Sequence, residues 1–217
     1  MRYTTILFDF DGTLADTAEG IFESVQYALR KMGLPQADIQ TMRRFIGPPL
    51  PYSFSQFIGL SPDEAEQAVL YYRENYAAGG KYKLSFYPGM LQLLRDLRDA
   101  GKNVCIASAK PDLFIRQILE YYKIDGLFTC VQGAPMQEQS SDKSSVIRSV
   151  MNRCNAEDKR TVLMVGDTAY DIRAAKKVGI DSAGVLYGYG SRAELAAEGA
   201  EYLAQDVEDL RNNACFL

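Results

Sequence analysis

The alternation of strand and helix patterns beyond about residue 84 constrains the fold of this chain more than any other feature. Short apolar runs predict strands, and stretches with apolar residues on one helical face predict helices between them. The predicted strands are 103–108, 128–132, 161–165 and 182–186, and the predicted helices are 89–100, 111–122, 143–154 and 170–178. This alternation is typical of a parallel sheet with right-handed crossovers, so we predict an α/β fold.

An earlier apolar run at residues 4–10 predicts a first strand, and a long segment with only helical patterns follows it. Within that segment, Ser61 and Glu64 have the spacing of a capping box that begins a helix. Because the first strand must join the same sheet as the later strands, the helical segment is an insertion. We predict a Rossmann-like, doubly wound parallel sheet domain at 1–15 and 84–217, with a helical domain inserted at 16–83.

Charge and hydropathy argue against two classes of partner. The 217 residues carry a net charge of -4 and contain no basic run, which disfavours binding to a nucleic acid polymer. No apolar stretch is long enough to span a bilayer, and no signal-peptide pattern precedes the first strand. We therefore expect a cytoplasmic protein that binds neither nucleic acid polymers nor membranes.

The chain has no histidine, which excludes Ser-His-Asp and Cys-His mechanisms as well as His-ligated zinc. Acid–base chemistry would therefore rest on carboxylates, lysine or tyrosine. The cysteines lack the spacing of a metal site, and we expect reduced thiols rather than disulfides. They are Cys105, Cys130, Cys154 and Cys215.

The segment Asp9-Phe10-Asp11-Gly12-Thr13 comes directly after the first apolar run. Asp9 and Asp11 are two positions apart, so their side chains share a face if the strand runs through them. Two carboxylates this close raise each other's pKa unless a cation lies between them. The pattern suggests a metal-assisted reaction in which one carboxylate attacks and the other moves a proton. A turn that closes the strand is the alternative.

Polar residues also mark the ends of later predicted strands. Ser108 ends one strand, Asp167 follows another, and Asp171 comes one helical turn after Asp167, while Lys143 begins a helix. Each has an ordinary structural alternative. Ser108 could cap the next helix, Asp167 could belong to a turn at the strand end with Asp171 on a solvated helix face, and Lys143 could be a solvated surface residue. Because ligands of open parallel sheets bind beyond the carboxyl ends of the strands, these residues and the two carboxylates after the first strand together predict one site.

Four features of the chain resemble, in the same order, the four motifs of the haloacid dehalogenase superfamily. They are the segment 9–13, Ser108, Lys143 and the segment 166–171. The resemblance covers essentially the whole chain, and the inserted helical domain is similar to the small cap of the first subfamily. The tract at 184–192, Gly-Val-Leu-Tyr-Gly-Tyr-Gly-Ser-Arg, resembles the phosphoglycolate phosphatase-like and 5′-nucleotidase-like members. The resemblance implies a hydrolase core with a helical cap.

The resemblance also implies a role for each carboxylate. Asp9 would attack phosphorus and form an aspartyl phosphate, and Asp11 would protonate the leaving oxygen and then deprotonate the hydrolytic water. Mg²⁺ would be held by Asp9, by the backbone carbonyl of Asp11 and by Asp167. Asp171 would support this metal site.

The phosphate-binding roles follow from the same resemblance. Ser108 and the backbone amide of Ala109 would donate hydrogen bonds to phosphoryl oxygens. Lys143 would place positive charge against the nucleophile and the transferring group, where a desolvated cation is most effective.

Asp11 favours phosphoryl transfer, because dehalogenases of this superfamily usually lack an acid at that position. We expect a Mg²⁺-dependent phosphomonoesterase that acts on a small phosphorylated metabolite and resembles the phosphoglycolate phosphatases. The alternatives are a 5′-nucleotidase, a sugar-phosphate mutase similar to β-phosphoglucomutase, and a non-catalytic binding protein on the same scaffold. We expect a monomer or a homodimer.

Substrate selection is expected in the inserted domain, which would close over the site. The candidates are Arg43, Arg44, Gly47 and Pro48. An exposed helix face and a proline-stiffened loop are the ordinary alternative. A substrate carboxylate would favour the arginines, whereas a nucleoside would favour an aromatic platform. The aromatic candidates are Tyr52, Phe54 and Tyr82.

Overall fold

The computed structural model describes residues 2–136 and 142–213, except for the side chain of Asn213. The chain divides into two compact units. Unit 1 comprises Met1–Asp16 and Phe86–Leu217, and unit 2 comprises Thr17–Ser85. The prediction that the inserted segment acts as a cap concerns its function, and it stays a prediction.

A six-stranded parallel sheet forms the centre of unit 1. The described residues form eight strands, six of which belong to this sheet. In chain order they are β1 (Thr5–Phe8), β2 (Ala15–Asp16), β3 (Ser85–Phe86), β4 (Asn103–Pro111), β5 (Cys130–Ala134), β6 (Val162–Gly166), β7 (Asp181–Val185) and β8 (Tyr202–Ala204). The sheet order is β5-β4-β1-β6-β7-β8, and β2 pairs with β3 separately. The chain thus moves outward from β1 to β5 and then returns to the other side of β1. In such sheets ligands bind near this reversal, beyond the strands' carboxyl ends.

The helices that follow the strands complete an α/β fold, as predicted. Those of unit 1 are labelled from α5, since four helices of unit 2 precede them in the chain. They are α5 (Met90–Asp99), α6 (Asp112–Tyr121), α7 (Lys143–Arg153), α8 (Ala169–Val178), α9 (Arg192–Glu198) and α10 (Val207–Asn213). Both β1 and β6 are buried along their whole lengths, which explains why their sequences are continuous apolar runs.

Unit 2 is helical. Its elements are α1 (Ala18–Lys31), α2 (Ile39–Arg43), α3 (Leu50–Ser53), a π-helical turn at Phe54–Ile58 and α4 (Pro62–Ala78). The predicted capping box between Ser61 and Glu64 is present at the start of α4. The helical stretch from Leu50 was not predicted, because the neighbouring prolines indicate a break. Pro51 lies within the first two positions of α3, where a missing N–H costs little.

Two further differences from the predicted elements bear on the site. β1 ends at Phe8, so Asp9 and Asp11 follow the strand instead of lying on one face of it. Gly12, at φ +77°, turns the chain there. Beyond β7, the sequence patterns also missed α9, β8 and α10, since these elements are only three to seven residues long. None of the helices found in the described residues combines the length and apolarity that a bilayer crossing needs.

Candidate active site

Asp9 lies at the carboxyl end of β1, in the middle of the sheet. Its backbone N–H donates to the carbonyl of Val165 on the neighbouring strand β6, at 2.9 Å, which fixes the position of the residue. The residue is 8% exposed, and Oδ1 lies 2.8 Å from Nζ of Lys143. Asp9 is therefore a nearly buried carboxylate whose one oxygen contacts an ammonium group.

Lys143 reaches this position because it is the first residue of α7. The side chain of Asp142 caps that helix by accepting from the N–H of Ser144 at 3.1 Å. Burial opposes the charge of Lys143, but the carboxylates of Asp171 and Asp9 outweigh it and raise the pKa of the ammonium group. Lys143 thus stays charged in a buried setting, unlike the solvated lysine of the alternative interpretation.

Asp167 and Asp171 come from the end of β6 and the first turn of α8, and both are fully buried. Asp167 Oδ1 accepts from the hydroxyl of Thr13 at 3.2 Å. Asp171 Oδ2 accepts from the N–H and the hydroxyl of Thr168, at 3.0 and 2.8 Å, as the acidic member of a capping box. Its other oxygen contacts Lys143.

Asp9, Asp167 and Asp171 each offer an oxygen to one cluster, and these atoms lie within 4.8 Å of one another. Burial and the neighbouring acids raise the pKa of Asp167 well above its usual range. Burial, opposed by Lys143, raises the pKa of Asp9 to about 6. When all three buried carboxylates are ionised, their charge exceeds that of the Lys143 ammonium, and a divalent cation would neutralise the excess. Their hard oxygen ligands suit Mg²⁺.

The carboxylate of Asp11 lies outside that cluster and has its own cation. Nζ of Lys110 lies 2.8 Å from Asp11 Oδ1, and the side chains are 4% and 19% exposed. The two aspartates of the first motif therefore contact two different lysines, Lys143 and Lys110. The expected mutual repulsion is relieved by separate ion pairs rather than by one shared cation.

Ser108 is buried near the end of β4, where it forms a hydrogen bond with Asp9. Its hydroxyl oxygen also accepts from the N–H of Lys110 at 3.2 Å. The N-cap of α6 is Pro111, so Ser108 does not cap that helix as the alternative interpretation required. The side chain of Ala109 is exposed between two buried neighbours.

The four candidates for substrate selection all lie in unit 2. Arg43 ends α2 and Arg44 follows it, and both are exposed, as is Gly47, whereas Pro48 is half-buried. The guanidinium carbon of Arg44 lies 3.9 Å from the centroid of the Phe57 ring, within the same unit. A role for these residues in substrate selection stays a prediction.

The aromatic candidates differ in accessibility. Phe54 is fully buried and packs edge-to-face on Phe45, with centroids 4.9 Å apart, so it belongs to the core of unit 2. Its proposed role as a nucleoside platform is therefore wrong. Tyr52 is 51% exposed.

A loop after β7 also contacts Asp167, and the sequence patterns do not predict this contact. The N–H of Tyr189 donates to Asp167 Oδ2 at 2.8 Å. A Cβ at Gly190 would lie 2.0 Å from the carbonyl oxygen of Asp167, and one at Gly188 would lie 2.3 Å from the Asp167 Cβ. The Gly-Tyr-Gly sequence was the available signal, since glycines on both sides of one residue indicate close backbone approach.

The described cysteines are free thiols. Cys105 and Cys130 are buried in the sheet domain, and Cys154 is half-buried. The Sγ atoms of Cys105 and Cys154 lie 3.5 Å apart, without a disulfide bond. Cys215 lies outside the described residues.

Comparison with known proteins places this site in a family. Residues 6–185 match the model of the haloacid dehalogenase-like hydrolases. The chain is 35% identical to a 5′-nucleotidase of Pseudomonas aeruginosa, over 97% of this chain and 95% of that protein. It is 27% identical to a phosphoglycolate phosphatase of Pseudomonas putida, over 94% of this chain and 77% of that protein.

A solved structure agrees. A predicted phosphatase from Clostridium acetobutylicum superposes with a TM-score of 0.92 and 37% identity, and the match covers 100% of both chains. The predicted fold, family and general class, a phosphoric monoester hydrolase, are confirmed. This chain belongs to the haloacid dehalogenase-like hydrolases.

Proposed function

We propose that this protein is a Mg²⁺-dependent phosphomonoesterase that works through a phosphorylated Asp9. One observation supports this proposal above all others. A buried carboxylate, Asp9, contacts the ammonium of Lys143 inside an acidic cluster, while a second carboxylate two residues later has a separate cation. A nucleophile beside a metal cluster and an independent proton carrier are what two-step phosphoryl transfer needs.

The first step forms a bond between an Asp9 carboxylate oxygen and phosphorus. The bond from phosphorus to the leaving oxygen breaks, and that oxygen takes its electron pair and a proton from Asp11. In the second step a water oxygen attacks the phosphorus and gives its proton to Asp11. The bond between phosphorus and the Asp9 oxygen then breaks, which restores the carboxylate and releases inorganic phosphate.

The electrostatic environment supports these steps. Lys143 holds positive charge against Asp9, and a desolvated cation stabilises the charge that develops during transfer. Ser108, hydrogen-bonded to Asp9, and the amide of Ala109 would donate to the phosphoryl oxygens. The carboxylate cluster limits access of the substrate anion unless its charge is neutralised.

We propose that Mg²⁺ is the neutralising ion. Asp9, Asp167 and the backbone carbonyl of Asp11 would hold it, and Asp171 would keep Lys143 and the cluster in position. The bound ion would supply a Lewis acid for the phosphoryl oxygens.

For the substrate, we propose a small phosphorylated metabolite with a second anionic group, as in phosphoglycolate, and action in the cytoplasm. Exposed Arg43 and Arg44 offer cations for such a group. Nucleoside monophosphates are the second candidate, favoured by the 35% identity to a 5′-nucleotidase. Burial of Phe54 removes one of the aromatic platforms that this candidate would use.

The test is phosphate release from a panel of phosphorylated metabolites, ranked by kcat/KM, with and without Mg²⁺. Asp9→Asn should abolish release, while Asp158→Asn, a change at an exposed carboxylate before β6, should leave it unchanged. Activity in Asp9→Asn would contradict the proposal. Isomerised sugar phosphate without free phosphate would identify a mutase instead.

A further inference from the structure

We propose that Lys110 is a positioning residue for proton transfer by Asp11. Its ammonium group holds Asp11 Oδ1, so that Oδ2 is the oxygen that exchanges a proton with the leaving group and with water. This inference rests on the proposed function, since it concerns the residue that would move the proton there.

The backbone at the end of β4 aims Lys110 into the site. Along this stretch Ser108 is buried, Ala109 is exposed and Lys110 is buried. The burial of Ser108 and Lys110, with Ala109 exposed between them, places the two polar side chains on one face. The pairing of β4 with β5 changes register between Ala107 and Pro111. Such irregularities commonly redirect a side chain next to an active site.

Close contacts hold the backbone of Lys110 in place. Its N–H donates to the Ser108 hydroxyl at 3.2 Å. On the other side, Gly133 of β5 approaches so closely that a Cβ there would lie 2.4 Å from the Lys110 carbonyl oxygen. The backbone of Lys110 is therefore held in a fixed position, and its side chain is 4% exposed.

The ion pair itself is short and mostly shielded from water. Nζ of Lys110 lies 2.8 Å from Asp11 Oδ1 and 5.6 Å from the centroid of the Phe10 ring. Because the Lys110 side chain is already confined, it loses little conformational freedom when it pairs with Asp11. Solvent screens the attraction between the ammonium and the carboxylate only weakly. Asp11 lies beyond the end of β1, so without Lys110 the carboxylate would sample more rotamers.

This role predicts a dependence on the leaving group that general damage to the site would not produce. An alkoxide leaving group needs a proton as its bond to phosphorus breaks, whereas p-nitrophenolate leaves readily without one. A misplaced Asp11 should therefore slow alkyl phosphates much more than p-nitrophenyl phosphate. Loss of fold or of phosphate binding would slow both to the same extent.

The experiment measures kcat/KM of Lys110→Met for alkyl and aryl phosphates, because this parameter reports the steps through the first phosphoryl transfer. General acid–base catalysis is worth about 10²–10⁴-fold, so alkyl phosphates should lose about 10²-fold or more. For the p-nitrophenyl ester kcat/KM should fall by only about a few-fold, because its leaving group needs no proton. Equal losses for all esters would overturn the inference.

A double-mutant cycle with Asp11→Asn tests whether the two residues act as a unit. Lys110→Met should have little further effect on alkyl esters once Asp11 has lost its acid function. Additive losses would overturn the inference. If the wild type itself released no phosphate with Mg²⁺, the proposed function would fail first, and that outcome is distinct from equal losses.

Lys102 provides a matched control at the other end of β4. It is another nearly buried lysine, and its Nζ donates to the carbonyl of Tyr3 at 2.7 Å. Lys102→Met should lower thermal stability but keep the wild-type ratio between alkyl and aryl substrates. A changed ratio in Lys102→Met would show that loss of any buried lysine alters selectivity, and it would count against the assignment of Lys110.

Discussion

Nζ of Lys143 lies 2.8 Å from Oδ1 of Asp9 and also contacts Asp171, so one buried ammonium contacts two of the three carboxylates of the acidic cluster, including the proposed nucleophile. The lysine stands at the first position of α7, and the aspartate follows the central strand. The sheet therefore brings together charges that are far apart in the sequence. The chemistry that we propose depends on this arrangement.

Replacing Lys143 tests its electrostatic role. Lys143→Met should reduce kcat by about 10²-fold or more, because an ammonium near the transferring group stabilises charge that develops in the transition state. The measurement is steady-state phosphate release at saturating Mg²⁺. Lys177→Met is the control, since Lys177 pairs with Asp142 at the surface near the start of the same helix. A similar loss in both variants would contradict a specific role for Lys143.

The raised pKa of Asp9 predicts how the stability of the metal-free protein varies with pH. Its pKa is about 6 in the folded state, against 3.8 for an ordinary aspartate. Between about pH 4 and 6 the folded state therefore binds more protons than the unfolded state, so this group lowers the free energy of unfolding as pH rises. Urea unfolding across this window should show that fall, and Asp9→Asn should reduce it.

The outcome that contradicts this prediction is specific. A wild type and an Asp9→Asn variant with parallel stability profiles from pH 4 to pH 7 would show that Asp9 has an ordinary pKa in the folded protein. Added Mg²⁺ should reverse the fall in the wild type, because a divalent cation favours the charged carboxylates.

Metal binding should stabilise the fold through the acidic cluster. Mg²⁺ at a hundred times its dissociation constant would add about 2.7 kcal/mol to the free energy of unfolding. Thermal scans with Mg²⁺ and with a chelator should show this shift in the wild type. Asp167→Asn should lose most of it, because Asp167 is a proposed ligand. An undiminished shift in that variant would place the metal elsewhere.

The loop that approaches Asp167 should tolerate no side chain at Gly190. A Cβ at that position would lie 2.0 Å from the carbonyl oxygen of Asp167, so Gly190→Ala must displace either the loop or Asp167. We expect weaker Mg²⁺ binding by isothermal titration together with lower activity. The control is Gly126→Ala, where a Cβ would meet nothing within 4 Å. Wild-type affinity in Gly190→Ala would show that Asp167 does not depend on this loop.

The patterns of the sequence predicted the sheet well, because β1 and β6 are buried on both faces and their runs are continuously apolar. They also predicted that Asp9, Ser108, Lys143 and Asp167 lie near one edge of the sheet, since the carboxyl ends of parallel strands lie at the same edge. Residues whose role depends on tertiary contacts were not predictable in the same way.

Two residues illustrate that limit. Lys110 resembles any lysine before a proline until β4 and β1 bring it to Asp11. Tyr189 acts through its backbone N–H, which any residue other than proline could supply, so its side chain carried no signal of this contact. For Lys110 the information lies in which strands become neighbours, and for Tyr189 only the glycines on either side indicate a close backbone approach.

The most direct test of the account is to identify the phosphorylated residue. The enzyme is mixed with substrate and Mg²⁺ and quenched in acid within the first turnover, and borohydride then reduces any aspartyl phosphate to homoserine. Mass spectrometry of the peptides should find homoserine in place of Asp9 in the wild type and none in Asp9→Asn. Homoserine at another aspartate, or rapid turnover with no modified residue at any quench time, would contradict the central claim.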